Sequence, residues 1–451
     1  MSSPATASAP RAELTLFDTA TIIVGIIIGS GVYESSPKIA GCVTSVSELF
    51  GIWLVGALFA MVGALCYAEL ATTYPREGGD YVFLNLAFGR GVGFVFAWMQ
   101  LWVVRPGSIG AMAYVFGAYA NKILPGGAFG PTLYALAAIV GLTAINISGV
   151  KAGKWTQDVL TVIKVIGLTA VIALGALSAP AEVVEPATLP ERNWNLALIL
   201  VFFAYGGWNE MAYVAAEVRD PQRNIVRALI GGTLTVALFY LGVNYAMVHA
   251  LGLAGIAWQS TAAARVVEHA IGSSGGNAVS LLIAISTLGA MNGITFTGSR
   301  IYSAMGRDHR LFAALARWHP RWQTPVNSFL TEAAITIGTI LLIAVVHRAD
   351  RDQFERLVIF TAPLFWGFLF LTGLALIVLR SRDAMRPRSF RVPLYPVTPL
   401  AFMAGCAFMV YSSTTYAWAN SSYLGEALWS LSLLVIGIAW ATWESFLARR
   451  D

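Results

Sequence analysis

The chain has 451 residues, of which 57% are hydrophobic and only 12% charged, with a formal net charge of +5. A soluble protein carries about twice that share of charge, so a water-soluble globule is excluded and a polytopic membrane protein is expected. The basic residues are spread over short loops rather than gathered in a patch, which argues against nucleic acid as a partner. Cys42, Cys66 and Cys406 lie in or beside apolar runs and imply no disulfide framework, and the five histidines lack metal-ligand spacing. Neither a metal nor a cofactor is expected.

Residues 1–13 are small and polar, with Arg11 but no apolar core, and are expected to form a cytoplasmic tail rather than a cleaved signal peptide. Twelve apolar runs long enough to cross a bilayer follow, at about 15–41, 46–70, 91–120, 131–148, 156–178, 194–217, 226–250, 276–302, 325–346, 354–380, 396–418 and 424–447. In the first, the apolar stretch Ile22 to Ile28 is interrupted by Gly29, Ser30 and Gly31 before Val32 and Tyr33. From Phe17 to Ala40 a helix would extend about 36 Å, which puts the glycines near the middle of the bilayer. Glycines flanking a serine disfavour continuous helix. Unwound backbone in hydrocarbon is tolerated only where it lines a protein cavity. The half-helix beyond such a break aims N–H groups and a positive dipole end at the cavity, which suits a carboxylate. A kinked, tightly packed helix is the alternative for this motif taken alone.

The first loop, Tyr74 to Tyr81, has a proline and paired glycines that mark a sharp turn. Arg105-Pro106 places a charge deep in the third run, either facing a cavity or held in a structural ion pair. In the fifth run Asp158 is expected to cap the cytoplasmic end. Lys164, two turns deeper, is expected to face the interior, as a stand-in for a coupling cation or as a lysine held by backbone carbonyls. Residues 179–193, with Glu182, Glu185 and Glu191, read as an external linker between two halves. The sixth run, Leu196 to Ala216, is broken in its turn by Gly206 and Gly207 within FFAYGGWN. Two glycine-interrupted segments in corresponding positions of two halves are the sequence mark of an inverted-repeat transporter.

Asp220-Pro221 reads as an N-cap followed by a first helical position. In the eighth run Asn292 beside Gly293 either bonds between helices or lines the cavity. The basic, aromatic stretch 300–323 is expected to lie on the cytoplasmic membrane surface. Phe365 and Trp366 either wall the pathway or pack in the core. Residues 381–395 read as a cytoplasmic linker, 396–447 as a scaffold of two helices, and 448–451 as a cytoplasmic tail. Most of the 29 lysines and arginines fall where a cytoplasmic N-terminus would put them inside. Both termini are therefore expected in the cytoplasm, with the chain in the plasma (inner) membrane. No Walker loop, HExxH or Ser-His-Asp spacing supports an enzyme.

Five stretches carry a family resemblance: IIGSGV (Ile27–Val32), PREGGDY (Pro75–Tyr81), QDVLTVIK (Gln157–Lys164), FAYGGWN (Phe203–Asn209) with Glu217 and Asp220, and NGITFTGSR (Asn292–Arg300). In this order and spacing the chain resembles, over nearly its whole length, the L-type amino acid transporter branch of the amino acid–polyamine–organocation superfamily. The resemblance implies an all-α, LeuT-like fold of twelve transmembrane helices. Residues 14–178 and 194–380 would form 5+5 inverted repeats with helices one and six broken. It implies that an L-amino acid sets its carboxylate on the N–H groups around Gly29, Ser30 and Gly31. Its amine would meet carbonyls of Ile27, Ile28, Phe203 and Ala204, near Gly206. Phe203 matches the family's gate, Asn209 and Asn292 would tune the pocket, and Lys164 would replace a sodium ion. Sodium-independent exchange of L-amino acids, chiefly neutral, is the function this implies.

Two departures stand out. The external loop 121–131 has no cysteine where animal members bond a heavy subunit, so no disulfide-linked heavy subunit is expected. Glu34 and Glu210 add carboxylates beyond the two breaks. Facing the cavity they would suit a cationic substrate or a proton; otherwise they face loops or a partner such as Arg105. The rival functions are a proton-coupled symporter of amino acids or polyamines and a receptor that binds without translocating.

Overall fold

Backbone polar groups in hydrocarbon must be paired within the segment that carries them, so long apolar runs become helices. The computed structural model describes residues 12–127, 129–180, 192–259, 261–272, 274–346, 353–419 and 424–447. Arg11, Glu182, Glu185, Glu191 and the tail 448–451 lie outside the described residues.

The first run is a broken pair, α1 (Leu16–Ile27) and α2 (Gly31–Gly41), bent by 42°. Thr15 and Asp18 close a capping box at its start. α3 (Val46–Thr73) leads to α4 (Asp80–Phe88), whose nine residues are too few to span. α5 (Arg90–Met99), a five-residue π-helical turn (Gln100–Val104) and α6 (Arg105–Ile123) run on as one helix. Pro106 has no N–H for the carbonyl four residues back, and the Arg105 N–H reaches back five residues to Gln100 O. α7 (Gly130–Ile147) and α8 (Val150–Leu177) follow.

α9 (Trp194–Ala204) ends at the second break, after which Trp208–Glu217 continues as a 3₁₀ helix. Gly207 sits in that break with φ 115°, a conformation that favours glycine. Then come α10 (Pro221–Ile256), short α11 (Ala262–Ile271), α12 (Ser274–Asp308), α13 (Val326–Val346), α14 (Gln353–Arg382), α15 (Val397–Ala419) and α16 (Leu424–Leu447). Among the described residues, ten helical stretches are long and apolar enough to cross a bilayer, and the bent pair makes an eleventh. The expected third span is the α5–α6 helix, which is not one of these. Much of α6 is buried inside the bundle, so Arg105 and its glycines never meet lipid.

Three expectations change. α8 starts at Val150, behind Gly149 with φ 147°, so Asp158 lies inside the helix instead of capping it and accepts the Thr21 hydroxyl. Pro221 is the first residue of α10, but the Asp220 side chain makes no capping bond. Of the stretch expected on the surface, 300–323, the first nine residues are instead the largely buried end of α12, which runs to Asp308; a short 3₁₀ turn and irregular, mostly exposed chain follow. The broken pair sits at the centre: α1 packs against α8, α10, α12 and the 3₁₀ segment. A parallel bridge between Leu14 and Val218 ties the chain just before α1 to the chain just after the 3₁₀ segment.

Candidate functional site

The first break leaves polar backbone unclaimed. Ile28 N–H still bonds Val24 O at 3.0 Å, but Gly29 N–H turns to Ile27 O at 2.9 Å. Among the described backbone bonds, the N–H groups of Ser30, Gly31 and Val32 have no acceptor. At the second break Gly206 N–H turns back to Phe203 O at 3.0 Å. The two breaks touch. A Cβ on Gly31 would lie 3.1 Å from Ala204 Cα, and one on Gly207 would lie 2.9 Å from Ile26 Cγ2. Tyr240 of α10 spans the junction, its hydroxyl 2.9 Å from both Ile27 O and Ala204 O.

Between the breaks lies a cavity of about 120 Å³. Its walls are Ile26, Ile27, Gly29, Ser30 and Gly31 on one side and Phe203, Ala204, Gly206, Gly207 and Glu210 on the other. Gly107, Ser108, Ala111 and Met112 of α6 form a third wall, with Ala290 and Ile294 of α12 and Thr361, Phe365 and Trp366 of α14. Phe203 meets Phe354 edge-on, with ring centroids 6.1 Å apart. A larger groove of about 800 Å³ between α5, α14 and α16 opens away from both breaks.

Two charged groups support the breaks from behind. Lys164 is fully buried, and its ammonium donates to Gly25 O at 2.7 Å, Ile28 O at 2.6 Å and Ser286 O at 3.0 Å. The Gly25 carbonyl is available because Gly29 N–H has turned elsewhere. Arg105 Nη1 donates to Glu210 Oε2 at 2.8 Å and to Ile294 O at 3.1 Å, and its Nε donates to Gln100 at 3.2 Å. Thr297 also donates to Glu210 Oε2, at 2.5 Å. Both members of the ion pair are buried.

Among the residues singled out from sequence, Ile27, Gly29, Ser30, Gly31, Phe203, Ala204, Gly206 and Glu210 face the cavity. Ile28 does not line it; its carbonyl is turned to Lys164. Asn209 is not among the lining residues, and its amide donates to Tyr213 at 3.3 Å. Asn292 sits between helices, donating to Gln157 Oε1 at 2.9 Å and Gly153 O at 3.1 Å while accepting from Asn146 at 2.8 Å. Glu34 points elsewhere and accepts the Tyr119 hydroxyl at 3.1 Å. Arg105 stands behind Glu210. Ile26, Ser108, Met112 and Tyr240 were missed. The small residues Gly107, Ser108 and Ala111, one turn past Arg105, were a legible sign of a cavity wall; Tyr240 had none.

The PREGGDY stretch, whose residues were read as a turn, is a buried polar centre next to the membrane-spanning helices. Asp80 accepts from Tyr67 and Tyr213, both at 2.5 Å, and from Thr372 at 2.9 Å. Burial pushes its carboxyl up to about 6, although these hydroxyls pull it down. Glu77 pairs with Arg307 at 2.6 Å, and burial still raises its carboxyl.

Interrupted helices meeting around a small cavity, inside a multi-pass helical bundle, are the arrangement of a transporter. The amino acid permease family model matches residues 14–439, and the chain belongs to that family. It is 30% identical over 410 residues to the serine/threonine exchanger SteT of Bacillus subtilis (strain 168), covering 90% of this chain and 91% of that one. It is 31% identical over 409 residues to the large neutral amino acids transporter small subunit 2 of Mus musculus, covering 87% of this chain and 75% of that one. The b(0,+)-type amino acid transporter 1 of Mus musculus is 30% identical over 395 residues, covering 85% and 79%.

Proposed function

We propose that the chain exchanges neutral L-amino acids across the cell membrane, without sodium, by alternating access. One observation carries this reading: Ser30 and Gly31, whose N–H groups are unpaired, line a small cavity together with Ile27 and Ala204, whose carbonyls stand at the two breaks. A zwitterion offers a carboxylate to the first set and an ammonium to the second. Lys164 occupies by its own ammonium a cage of carbonyls that a coupling cation would otherwise need, which supports sodium independence. Glu210 reaches the cavity already neutralised by Arg105, so the wall adds no net charge and favours a neutral side chain over a cationic one. Phe203, edge-on to Phe354, closes the cavity as a gate. The relatives' names, a serine/threonine exchanger and a large neutral amino acids transporter, support exchange of such substrates.

In this reading twelve spans include two inverted repeats, 14–178 and 194–380, joined by 179–193. The linker 381–395 leads to the two further helices in 396–447. Both termini are cytoplasmic. The chain works without a disulfide-linked subunit, since Cys42, Cys66 and Cys406 are all buried. Counterflow in proteoliposomes tests the reading. Lumens loaded with one amino acid at a time should accumulate labelled neutral amino acid, equally in sodium and in choline. Binding without counterflow for every amino acid tried would make the protein a receptor.

A further inference from the structure

Glu332, on α13, has no role in the site so far. It is 1% exposed, and neither carboxyl oxygen has a hydrogen-bond partner. The side chain lies beside Arg105, across Gly298. Gly298 leaves the room: a Cβ there would stand 2.3 Å from Glu332 Oε1 and 3.3 Å from Arg105 Cδ. Two carboxyls therefore attend one guanidinium. Arg105 spends Nη1 and Nε on Glu210, Ile294 O, Thr297 and Gln100, and none of its described bonds uses Nη2.

The other groups facing Glu332 are Arg300 and Tyr302 of α12, and Arg300 is already held by Glu217 at 2.8 Å. α7 and the π-helical turn, also packed against this region, carry no charged residue, and Tyr134 of α7 is bonded to Leu124 O. A carboxylate without donors in such surroundings is far more costly than a carboxylic acid. A void of about 30 Å³, lined by Arg105, Ser108, Glu210 and Tyr213, adjoins the ion pair on the cavity side. That is room for a water beside Arg105 and Glu210; Glu332 does not line it, so its proton reaches water only once the pair opens.

We propose that Glu332 is a proton-binding site linked to the Arg105–Glu210 ion pair. Its carboxyl keeps the proton while Glu210 neutralises Arg105. When the 3₁₀ segment moves and Glu210 leaves, the Glu332 O–H bond breaks, the proton goes to water, and the new carboxylate takes Arg105 Nη2. Arg105 thus has one carboxylate partner in either state. The linkage to transport rests on the alternating-access reading above; the protonation of Glu332 does not. Because opening releases a proton, exchange should rise with pH.

The test pairs counterflow over a pH series with infrared spectroscopy of the purified protein. The wild type should speed up toward alkaline pH. Glu332→Gln, fixed neutral, should be flat across the series and at least about tenfold slower at the alkaline end. The infrared spectrum of the wild type should show the carbonyl band of a carboxylic acid free of hydrogen bonds, absent from Glu332→Gln. Glu332→Thr serves the same comparison if Glu332→Gln does not fold. A variant that keeps the wild-type pH profile, or a wild type without that band, overturns the proposal. A wild type that shows the band but no counterflow overturns the transport reading instead.

Discussion

Replacing Lys164 by methionine tests how the first break is held. In the native chain two carbonyls, Gly25 O and Ile28 O, are released by the break and captured by the Lys164 ammonium at 2.7 and 2.6 Å. Ser286 O lies within α12 and keeps a helical partner, so it loses less. Each buried carbonyl left without a donor costs about 1–3 kcal/mol, so the broken geometry should rise by about 2–6 kcal/mol in Lys164→Met. Against this, the variant no longer buries an ammonium, which relieves several kcal/mol. The two terms act on different states. Relief applies however the helix is arranged, whereas the orphaned carbonyls penalise only the broken form. Winding the break into continuous helix would satisfy Gly25 O with Gly29 N–H and close the cavity. Global stability should therefore change little while substrate affinity falls by about 30-fold or more, since 1.4 kcal/mol is tenfold. Thermal unfolding with and without saturating amino acid measures both quantities, and counterflow reports the consequence for transport. Affinity within about threefold of wild type, with wild-type counterflow, would refute the reasoning.

The remaining expectations follow the same geometry. Gly31→Ala puts a methyl 3.1 Å from Ala204 Cα, so counterflow should be lost while the protein still folds, as judged by size-exclusion chromatography. The buried pair Arg300–Glu217, with exposures of 0% and 2%, should cost about 3–5 kcal/mol when either partner alone is neutralised. The double variant Arg300→Met/Glu217→Gln should cost less than the sum of the singles in thermal unfolding, and additive losses would show that the pair is not coupled. Asp80 has a raised carboxyl, so the folded state holds its proton to higher pH than the unfolded chain. Its contribution is therefore present in acid and is lost as pH rises from about 4 through about 6. Asp80→Asn should remove that fall from the pH dependence of unfolding, and an unchanged curve would assign it to other groups.

The breaks were legible because glycine pairs in long apolar runs have few physical uses in lipid, and the residues that line the cavity from the breaks follow from them directly. Lys164 was legible for a related reason: a charge deep in a span must meet partners, and unwound carbonyls are the partners nearby. Asn209 and Asn292 were harder. Polarity in a span says that a side chain needs a bond, not whether another helix or a ligand supplies it. Here Asn146, Gln157 and Tyr213 supply it. Asp158 was misplaced because Lys151, Lys154 and Thr156 interrupt the apolar pattern and hid the first two turns of α8. Glu332 drew no notice, since one carboxylate in an apolar run becomes significant only when Arg105 and Gly298 are brought beside it.

The Tyr240 hydroxyl has one hydrogen and two oxygens, Ile27 O and Ala204 O, competing for it at equal distance. It works as a rivet through both discontinuities. Prising either one away concentrates the bond on the other, and α10 is dragged along in both cases. Whatever tilting the protein undergoes, these three elements should swing as a single rigid rocker, with the joint itself on the wall where a substrate would rest.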